Sequence, residues 1–326
     1  MTSTGLGEFG RIARFFAPLS GPGGLGLKDD AALVDCVPGH RLVVTVDQAI
    51  ENVHFLPDDP PDLVAKKLLR RNLSDLAAMG ACPLHYLLTT ALPADRGDDW
   101  VEAFAAGLAE DQARFGIDLI GGDSASTKGP VSLTVTAIGE VAAGREIRRS
   151  GARADDRVWV SGTIGDAFLG LRVLRGGYAS LAPDERAALT RRFQLPEPRV
   201  ELGPRLAGIA HAMIDVSDGL LADLAHICDA SGIGATIALP LLPLSAAARR
   251  AAEEDPELPA SLAAAGDDYE LLFAAPPEAE RAIGRLAVEV GLPITAIGRM
   301  EKGAGVRLVD ADGKIVPVAT AGYRHF

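Results

Sequence analysis

The chain has 326 residues, of which 48% are hydrophobic and 23% are charged. This composition is typical of a folded protein of about two domains, at roughly 150 residues each, and not of a disordered chain. With 32 Lys and Arg against 44 Asp and Glu, the formal net charge is −12. Because acidic surfaces repel phosphate backbones and anionic lipids, the charge argues against binding to nucleic acids or to membrane surfaces.

The three cysteines, Cys36, Cys82 and Cys228, stand far apart. This spacing fits neither a disulfide framework nor a zinc site, and we expect three buried thiols in a reducing compartment. Residues 1–16 lack the apolar core of a signal peptide. No run approaches the roughly 20 apolar residues that a membrane span needs. The sequence therefore predicts a soluble, cytoplasmic protein.

The first half of the chain predicts alternating strands and helices on one face of a sheet. Leu69, Leu73 and Leu76 share one face of the first long helix, whereas Lys66, Lys67, Arg70 and Arg71 are expected to form a solvent-exposed face. In chain order, the elements are a strand at 42–46, a helix at 59–80, a strand at 84–92, a helix at 100–116, and strands at 117–120 and 131–141.

A shift toward Gly, Arg and Asp over 142–156 marks a domain boundary, which gives domains 1–145 and 146–326. The second domain predicts a further mixture of helices and strands. They are a strand at 158–160, helices at 165–174, 183–193 and 200–211, a strand at 212–216, a helix at 219–230, strands at 236–239, 269–273, 294–297 and 306–309, and a hairpin turn at 310–313.

Aspartates recur in short polar signatures at or after predicted strand ends, where α/β sheets usually form their sites. Each aspartate taken alone also fits a turn or a helix cap. Several carboxylates that meet in one cleft repel each other unless cations intervene, and Mg²⁺ prefers such hard oxygen ligands. The signatures therefore indicate magnesium–phosphate chemistry. They are Asp29–Asp30, Asp47, Ser74–Asp75, Gly122–Asp123, 215–218 and 266–268.

The common phosphate-transfer and hydrolase motifs do not occur in the chain. There is no G-x-x-x-x-G-K-[ST] loop, no protein-kinase motif set and no G-x-S-x-G nucleophile elbow. Gly162–Gly165 after a predicted strand is only a weak phosphate-loop signal, and helix–strand packing explains it better.

Nine motifs occur along nearly the whole chain, at 7–9, 29–31, 47 with 53–55, 72–81, 121–123, 149–152, 215–220, 266–271 and 322–326. In this order they resemble the motifs of the thiamine-monophosphate kinases. The block N-L-S-D-L-A-A-M-G-A is highly specific for this family. The block D-x-S-D-G-L marks only the wider superfamily of aminoimidazole-ribonucleotide synthetase-like enzymes, which use ATP.

This resemblance implies a two-domain fold of class α/β (α+β), like that of aminoimidazole-ribonucleotide synthetase. The N-terminal domain would bind ATP and metal, and would pair with its copy in a homodimer to form a strand barrel. A larger α+β domain would follow, with ATP in the cleft between the domains. The implied reaction converts ATP and thiamine monophosphate into ADP and thiamine diphosphate, with several Mg²⁺ ions as cofactors.

The resemblance also implies the residues of the site. No residue is expected to act as an essential base, because the acceptor phosphate is already an anionic nucleophile, and we expect direct in-line transfer. Magnesium would be held by Asp30, Thr45, Val46, Asp47, Asp75, Asp123, Asp215 and Asp218. ATP would contact Gly122, Asp123, Arg149 and Ser217, and thiamine monophosphate would contact His54, Asp267 and Tyr323.

The chain departs from the family pattern at five places. Lys28 replaces a glycine, Val46 replaces a hydroxyl residue and could reach a metal only through its carbonyl, and residues 124–128 form a longer loop. Asp267 stands where glutamate is common, and Thr320 stands where some members carry an aromatic residue that would stack on the substrate.

Two other functions stay open from the sequence. The chain could be a superfamily relative that activates a different acceptor with ATP, although the 72–81 block disfavours this. It could also be a non-catalytic nucleotide-binding homologue, although a binding module needs fewer clustered carboxylates. In addition, Arg149 fits a surface arginine and His54 fits a structural histidine.

Overall fold

The computed structural model describes residues 6–29, 31–318 and 322, and it divides the chain into two units. Unit 1 comprises residues 1–76 and 81–144, and unit 2 comprises residues 77–80 and 145–326. No helix in the described parts of the chain is long and apolar enough to cross a membrane.

Unit 1 is built on a four-stranded sheet with the order β1-β4-β2-β3. β2 and β3 are parallel, and the other neighbouring strands are antiparallel. The elements in chain order are α1 (Glu8–Arg11), β1 (His40–Ile50), α2 (Pro61–Ala78), β2 (Cys82–Pro93), α3 (Asp98–Phe115), β3 (Asp118–Thr127) and β4 (Ser132–Ala142).

The core of unit 1 lies between this sheet and its two long helices. Leu69, Leu73 and Leu76 on α2 are fully buried, which confirms the predicted apolar face. Every second residue of β4 is buried, as expected for a strand with one face on the core. The α3 helix ends at Gly116, whose φ of 65° is the left-handed conformation that glycine adopts easily at a helix end.

The expectation that the cationic residues of α2 form a solvent-exposed face is wrong. Lys66, Lys67 and Arg70 are buried, with 8%, 4% and 3% of their surface exposed. The guanidinium of Arg70 donates to both carboxylate oxygens of Asp111 on α3, at 2.7 and 2.8 Å. The ammonium of Lys66 lies 2.7 Å from Glu110. The acidic partners on α3 compensate for the loss of water, so this face is a contact between two helices.

Unit 2 contains a six-stranded sheet with the order β10-β7-β9-β5-β8-β6. β10 and β7 are parallel, and every other neighbouring pair is antiparallel. The elements are β5 (Arg157–Ser161), α4 (Asp166–Leu174), α5 (Pro183–Gln194), β6 (Ala212–Asp215), α6 (Leu220–Ser231), β7 (Gly234–Ala238), α7 (Ala246–Glu254), α8 (Leu258–Ala263), β8 (Leu271–Ala275), α9 (Glu280–Glu289), β9 (Ile294–Glu301) and β10 (Gly305–Val309).

Three expectations from the sequence fail in the structure. Residues 124–127 belong to the strand β3 and not to a loop. The helix predicted at 200–211 is only a single 3₁₀ turn at 203–206, because Pro204 lacks an amide donor and Gly208 adopts a φ of 85° that leaves the helix. The helices α7, α8 and α9 were not predicted. Of the three cysteines only Cys228 is buried, whereas Cys36 and Cys82 are exposed. The predicted hairpin turn at 310–313 is confirmed by the amide of Gly313, which donates to the carbonyl of Asp310.

Candidate functional site

In unit 1, β1 and α2 bring three of the predicted metal residues together. Thr45 and Asp47 are alternate residues of β1 and therefore share one face of the strand. The Thr45 hydroxyl donates to Asp75 Oδ2 at 2.6 Å, and Asp47 Oδ1 lies 3.5 Å from Arg71 Nη2. Arg71 and Asp75 are four residues apart on α2 and so lie on the same side of the helix. We call Thr45, Asp47 and Asp75 the β1–α2 group.

The structure separates Val46 from the β1–α2 group. Its side chain is 61% exposed and lies on the opposite face of β1 from Thr45 and Asp47. Only its backbone carbonyl could therefore serve a metal. The predicted residues Asp30 and Tyr323, and Thr320 among the departures, lie outside the described residues.

Gly122 and Asp123 lie on β3, beside a cavity of about 430 Å³. The cavity is also lined by Asp29, Thr89 and Ser124. A Cβ at Gly122 would lie 1.8 Å from the Leu88 carbonyl oxygen on β2, so only glycine allows the two parallel strands to approach at this point. The carboxylate of Asp123, the next residue, is exposed.

His54 follows β1 in a tight turn. Its Nδ1 accepts a hydrogen bond from the Ile50 amide at 3.0 Å, which fixes the orientation of the ring. The histidine is half-buried. It therefore has a structural function in this turn, and its predicted contact with thiamine monophosphate stays a prediction.

In unit 2, two backbone segments lie side by side and bring Ser217 and Asp218 close to Asp267. The Asp267 amide donates to the Ser217 carbonyl at 2.8 Å, and the Tyr269 amide donates to the Val216 carbonyl, also at 2.8 Å. Asp215, the last residue of β6, is buried at the start of the first segment.

The second segment is strained on either side of Asp268. Asp267 and Tyr269 both have positive φ angles, of 71° and 53°, which residues other than glycine rarely adopt. The Tyr269 hydroxyl donates to Asp267 Oδ1 at 3.0 Å, so the aspartate is held in place from its own segment. Backbone strain of this kind is most common at functional sites.

Arg149 lies at the other end of α6 from Ser217. The amides of Gly151 and Ala152, close to Arg149 in the chain, donate to the hydroxyl of Ser231, the last residue of α6. A helix of 12 residues is about 18 Å long. The Arg149 side chain is exposed. The structure thus separates the backbone at Arg149 from that at Ser217.

Among the residues described, no three His, Cys, Asp or Glu side chains are grouped so that they could enclose a metal ion. The β1–α2 group offers two carboxylates and a hydroxyl, and all of these are oxygen donors. Mg²⁺ is usually bound by one or two carboxylates together with water and substrate phosphates. The donor set therefore fits Mg²⁺ in a phosphate complex better than a metal held by protein ligands alone.

Two family models match the chain. The AIR synthase related protein N-terminal domain matches residues 28–141, and the C-terminal domain matches residues 153–311. The thiamine-monophosphate kinase of Caulobacter vibrioides is 44% identical over 92% of this chain and 85% of its own length.

The chain belongs to the thiamine-monophosphate kinase family.

Solved structures of family members agree with this assignment. The crystal structure of thiamine-monophosphate kinase from Stenotrophomonas maltophilia K279a has a TM-score of 0.81 at 41% identity, covering 89% of this chain and 91% of that chain. AaThiL complexed with AMPPCP and TMP has a TM-score of 0.79 at 33% identity, covering 98% and 97%.

Two buried carboxylates support the family motifs: the sequence analysis missed Asp223, and it counted Asp268 among the signatures of magnesium–phosphate chemistry. Asp223 Oδ2 accepts hydrogen bonds from three successive amides, and burial raises the pKa of Asp223 to about 7. Asp268 Oδ2 accepts a hydrogen bond from the Gly165 amide at 2.7 Å, and its Oδ1 has no hydrogen-bond partner among the described residues. Burial raises the pKa of Asp268 well above the usual value. The position of Asp223 in the first turn of a predicted helix was the available signal.

Glu270, in the same motif as Asp268, is fully buried. It accepts hydrogen bonds from Ser161 Oγ at 2.6 Å and from Arg192 at 3.0 Å, and it pairs with Arg199. These partners anchor the segment that carries Asp267. Within this motif, Glu270 and Asp268 therefore hold the backbone in place, whereas Asp267 is the residue predicted to contact a substrate.

Proposed function

We propose that this chain transfers the γ-phosphoryl group of ATP to the phosphate of thiamine monophosphate, forming ADP and thiamine diphosphate. The observation that carries the proposal is the match, over nearly the full length, to AaThiL complexed with AMPPCP and TMP. Further support comes from the 44% identity to a thiamine-monophosphate kinase. The aspartate signatures of the sequence suit the same chemistry.

The proposed reaction needs neutralisation of charge more than it needs a base. The acceptor phosphate is already an anion and can act as a nucleophile without losing a proton to the protein. Two unit charges about 4 Å apart repel by roughly 4 kcal/mol at an effective dielectric constant of about 20. We therefore propose direct in-line transfer, with no phosphoenzyme and no essential base.

The β1–α2 group supports the metal part of the proposal. Asp47 and Asp75 would hold Mg²⁺, and the hydrogen bond from Thr45 keeps the Asp75 carboxylate directed toward β1. When bound, Mg²⁺ would neutralise phosphate charge during transfer. In unit 2, Asp215 and Asp218 offer further carboxylates. Asp30, Asp123 and the carbonyl of Val46 complete the proposed set.

The remaining site residues are proposed to contact the two substrates. Gly122 and Asp123 border the cavity of unit 1, and the small Gly122 would allow a phosphate to approach the backbone. Ser217 and the exposed guanidinium of Arg149 would contact ATP. Thiamine monophosphate would contact His54, Tyr323 and Asp267, whose carboxylate is held by Tyr269.

We also propose that residues 1–145 form the ATP-binding, metal-binding and dimerisation domain, and that the chain is a homodimer. β1 is at the edge of its sheet and exposes an apolar row on one face. Leu42, Val44 and Val46 in this row are 40%, 61% and 61% exposed. An exposed apolar row on an edge strand is typical of an interface. A second copy that paired with the edge strand β1 would extend the sheet toward a barrel, and the apolar row would then be covered.

The first test is chromatography of thiamine species after incubation with ATP, Mg²⁺ and thiamine monophosphate. We expect thiamine diphosphate and ADP in equal amounts, and neither product when EDTA is present. Free thiamine is the control acceptor, and it should give no product because it lacks the phosphate. ADP without thiamine diphosphate would instead indicate a different acceptor. Nucleotide binding without turnover would indicate a binding module.

A further inference from the structure

One carboxylate in unit 2 occupies a position that bound phosphates take in other proteins. Asp223 Oδ2 accepts hydrogen bonds from the amides of Ser217 at 3.0 Å, Asp218 at 3.1 Å and Gly219 at 3.1 Å. Asp223 lies in the first turn of α6 and is only 2% exposed. The amides at the N-terminus of a helix attract anions. In this chain, that anion is a side chain of the protein itself.

The backbone carbonyls next to these three amides also have hydrogen-bond partners. The carbonyls of Val216 and Ser217 accept hydrogen bonds from the amides of Tyr269 and Asp267, both at 2.8 Å. The amides of 217–219 therefore face Asp223, while the carbonyls before them face the neighbouring segment. Both contacts fix how this backbone is turned.

This orientation has a chemical consequence. Successive amides that point to one spot form a concave site for a phosphate, but the carboxyl group of Asp223 fills this site. The groups of this segment that can interact with a ligand include the side chains of Ser217 and Asp218, which offer oxygen atoms. Oxygen ligands in a negative environment favour a divalent cation.

We propose that Asp223 is a positioning residue that turns the amides of 217–219 inward, so that this segment offers oxygen ligands to a divalent cation and no amides to a phosphate. Asp223 itself would contact neither the cation nor the substrates. This inference rests on the proposed function, since it takes Asp215 and Asp218 as ligands for magnesium in a nucleotide complex.

The variant Asp223→Asn tests the proposal, because asparagine keeps the size of the side chain and removes its charge. The amides would then bond to a neutral oxygen, which is a weaker acceptor. Asp229→Asn is the matched control, since Asp229 is an exposed residue of the same helix. The readouts are binding of Mn²⁺ in the presence of AMPPCP by electron paramagnetic resonance and binding of AMPPCP with Mg²⁺ by calorimetry, both without turnover.

We expect Asp223→Asn to weaken Mn²⁺ binding by about tenfold or more, which is typical for loss of a group that orients metal ligands. Asp229→Asn should bind Mn²⁺ as the wild type does. Equal Mn²⁺ affinity in Asp223→Asn and the wild type would overturn the proposal. Circular dichroism is used to check that each variant is folded.

A second measurement uses the wild type alone and so does not depend on the folding of a variant. We expect the amides of 217–219 to exchange slowly with deuterium before any nucleotide is added, and to change little when AMPPCP and Mg²⁺ bind. Fast exchange that becomes slow only with the nucleotide would show that these amides bind phosphate, and would overturn the proposal. If both measurements agree with it but no thiamine diphosphate forms, only the proposed function fails.

Discussion

At the scale of single residues, aspartates of this chain have opposite surroundings. Asp47 keeps 29% of its side chain exposed beside Arg71, whereas Asp223 and Asp268 are buried and bond to backbone amides. The exposed carboxylate is available to a ligand, and the buried ones hold the chain in place. The sequence shows Asp47 and Asp268 alike as polar residues near strand ends, so it could not distinguish the exposed carboxylate from the buried one.

The variant Asp47→Asn should lower kcat by at least about 100-fold, or roughly 3 kcal/mol in the activation free energy. The affinity for ATP should change much less, because the lost charge is needed mainly when negative charge accumulates during transfer. The measurements are steady-state kinetics and calorimetric ATP binding. Asp58→Asn, at an exposed position, is the control. If kcat and ATP affinity both stay normal, the assignment of Asp47 to a metal is wrong.

The variant Asp268→Asn should change how thermal stability depends on pH. Burial raises the pKa of Asp268 in the folded state above its unfolded value. Its favourable contribution is therefore fully present below the unfolded pKa of about 4 and is lost as pH rises through the folded pKa. Asparagine does not titrate, so the melting temperature of the variant relative to the wild type should increase from pH 5 to pH 8.

Thermal denaturation at several pH values measures this difference between Asp268→Asn and the wild type. Asp312→Asn, at an exposed turn position, is the control and should follow the wild type throughout. A difference between Asp268→Asn and the wild type that is constant, or that falls with pH, would contradict the prediction.

At the scale of elements, the contact between α2 and α3 depends on a buried ion pair. Arg70 and Asp111 are 41 positions apart in the chain, and their side chains are 4% and 2% exposed. Arg70 also lies over the ring of Phe115, at 5.3 Å from its centroid. The helical spacing of the leucines on α2 predicted the apolar face of this helix. The same spacing contained no signal that the cationic face would contact a second helix.

The variant Arg70→Met should destabilise unit 1 by about 3–5 kcal/mol, because it leaves the Asp111 carboxylate buried without its partner. The double variant Arg70→Met, Asp111→Leu should recover most of this loss, since both charges are removed. Denaturant unfolding followed by circular dichroism measures both effects.

Arg14→Met is the matched control for this series. Arg14 and Glu102 form an exposed pair in unit 1, with 59% and 60% of their side chains accessible, and such pairs contribute less than about 1 kcal/mol. If Arg70→Met costs no more than Arg14→Met, the buried pair does not stabilise the contact between the helices.

At the scale of the whole molecule, the proposed homodimer depends on the exposed row of β1. The variant Val44→Glu places a charge in the centre of this row, and burying an unpaired charge in an interface is costly. We expect the wild type to sediment at twice the mass of the chain and Val44→Glu to sediment as a monomer. Val288→Glu, at an 82% exposed position on α9, should remain a dimer. A monomeric wild type would contradict the homodimer.

The sequence by itself determined the family and most of the regular elements. Strands and helices follow from local spacing of apolar residues, as for Leu69, Leu73 and Leu76, and local spacing is visible in one segment of chain. The motif at 72–81 identified the family because its residues are consecutive. The predicted helix at 200–211 failed where Pro204 and Gly208 interrupt the backbone hydrogen bonds.

Only the tertiary structure decided which polar residues are buried and what they contact. Asp268 bonds to an amide 103 positions away in the chain, and Arg70 meets Asp111 across two helices. Whether the side chain of Val46 is exposed likewise depends on which face of the sheet the helices cover. Such contacts join distant segments, and the free energy of burying a charge depends on the partners that those segments supply. No local pattern in the sequence contains that information.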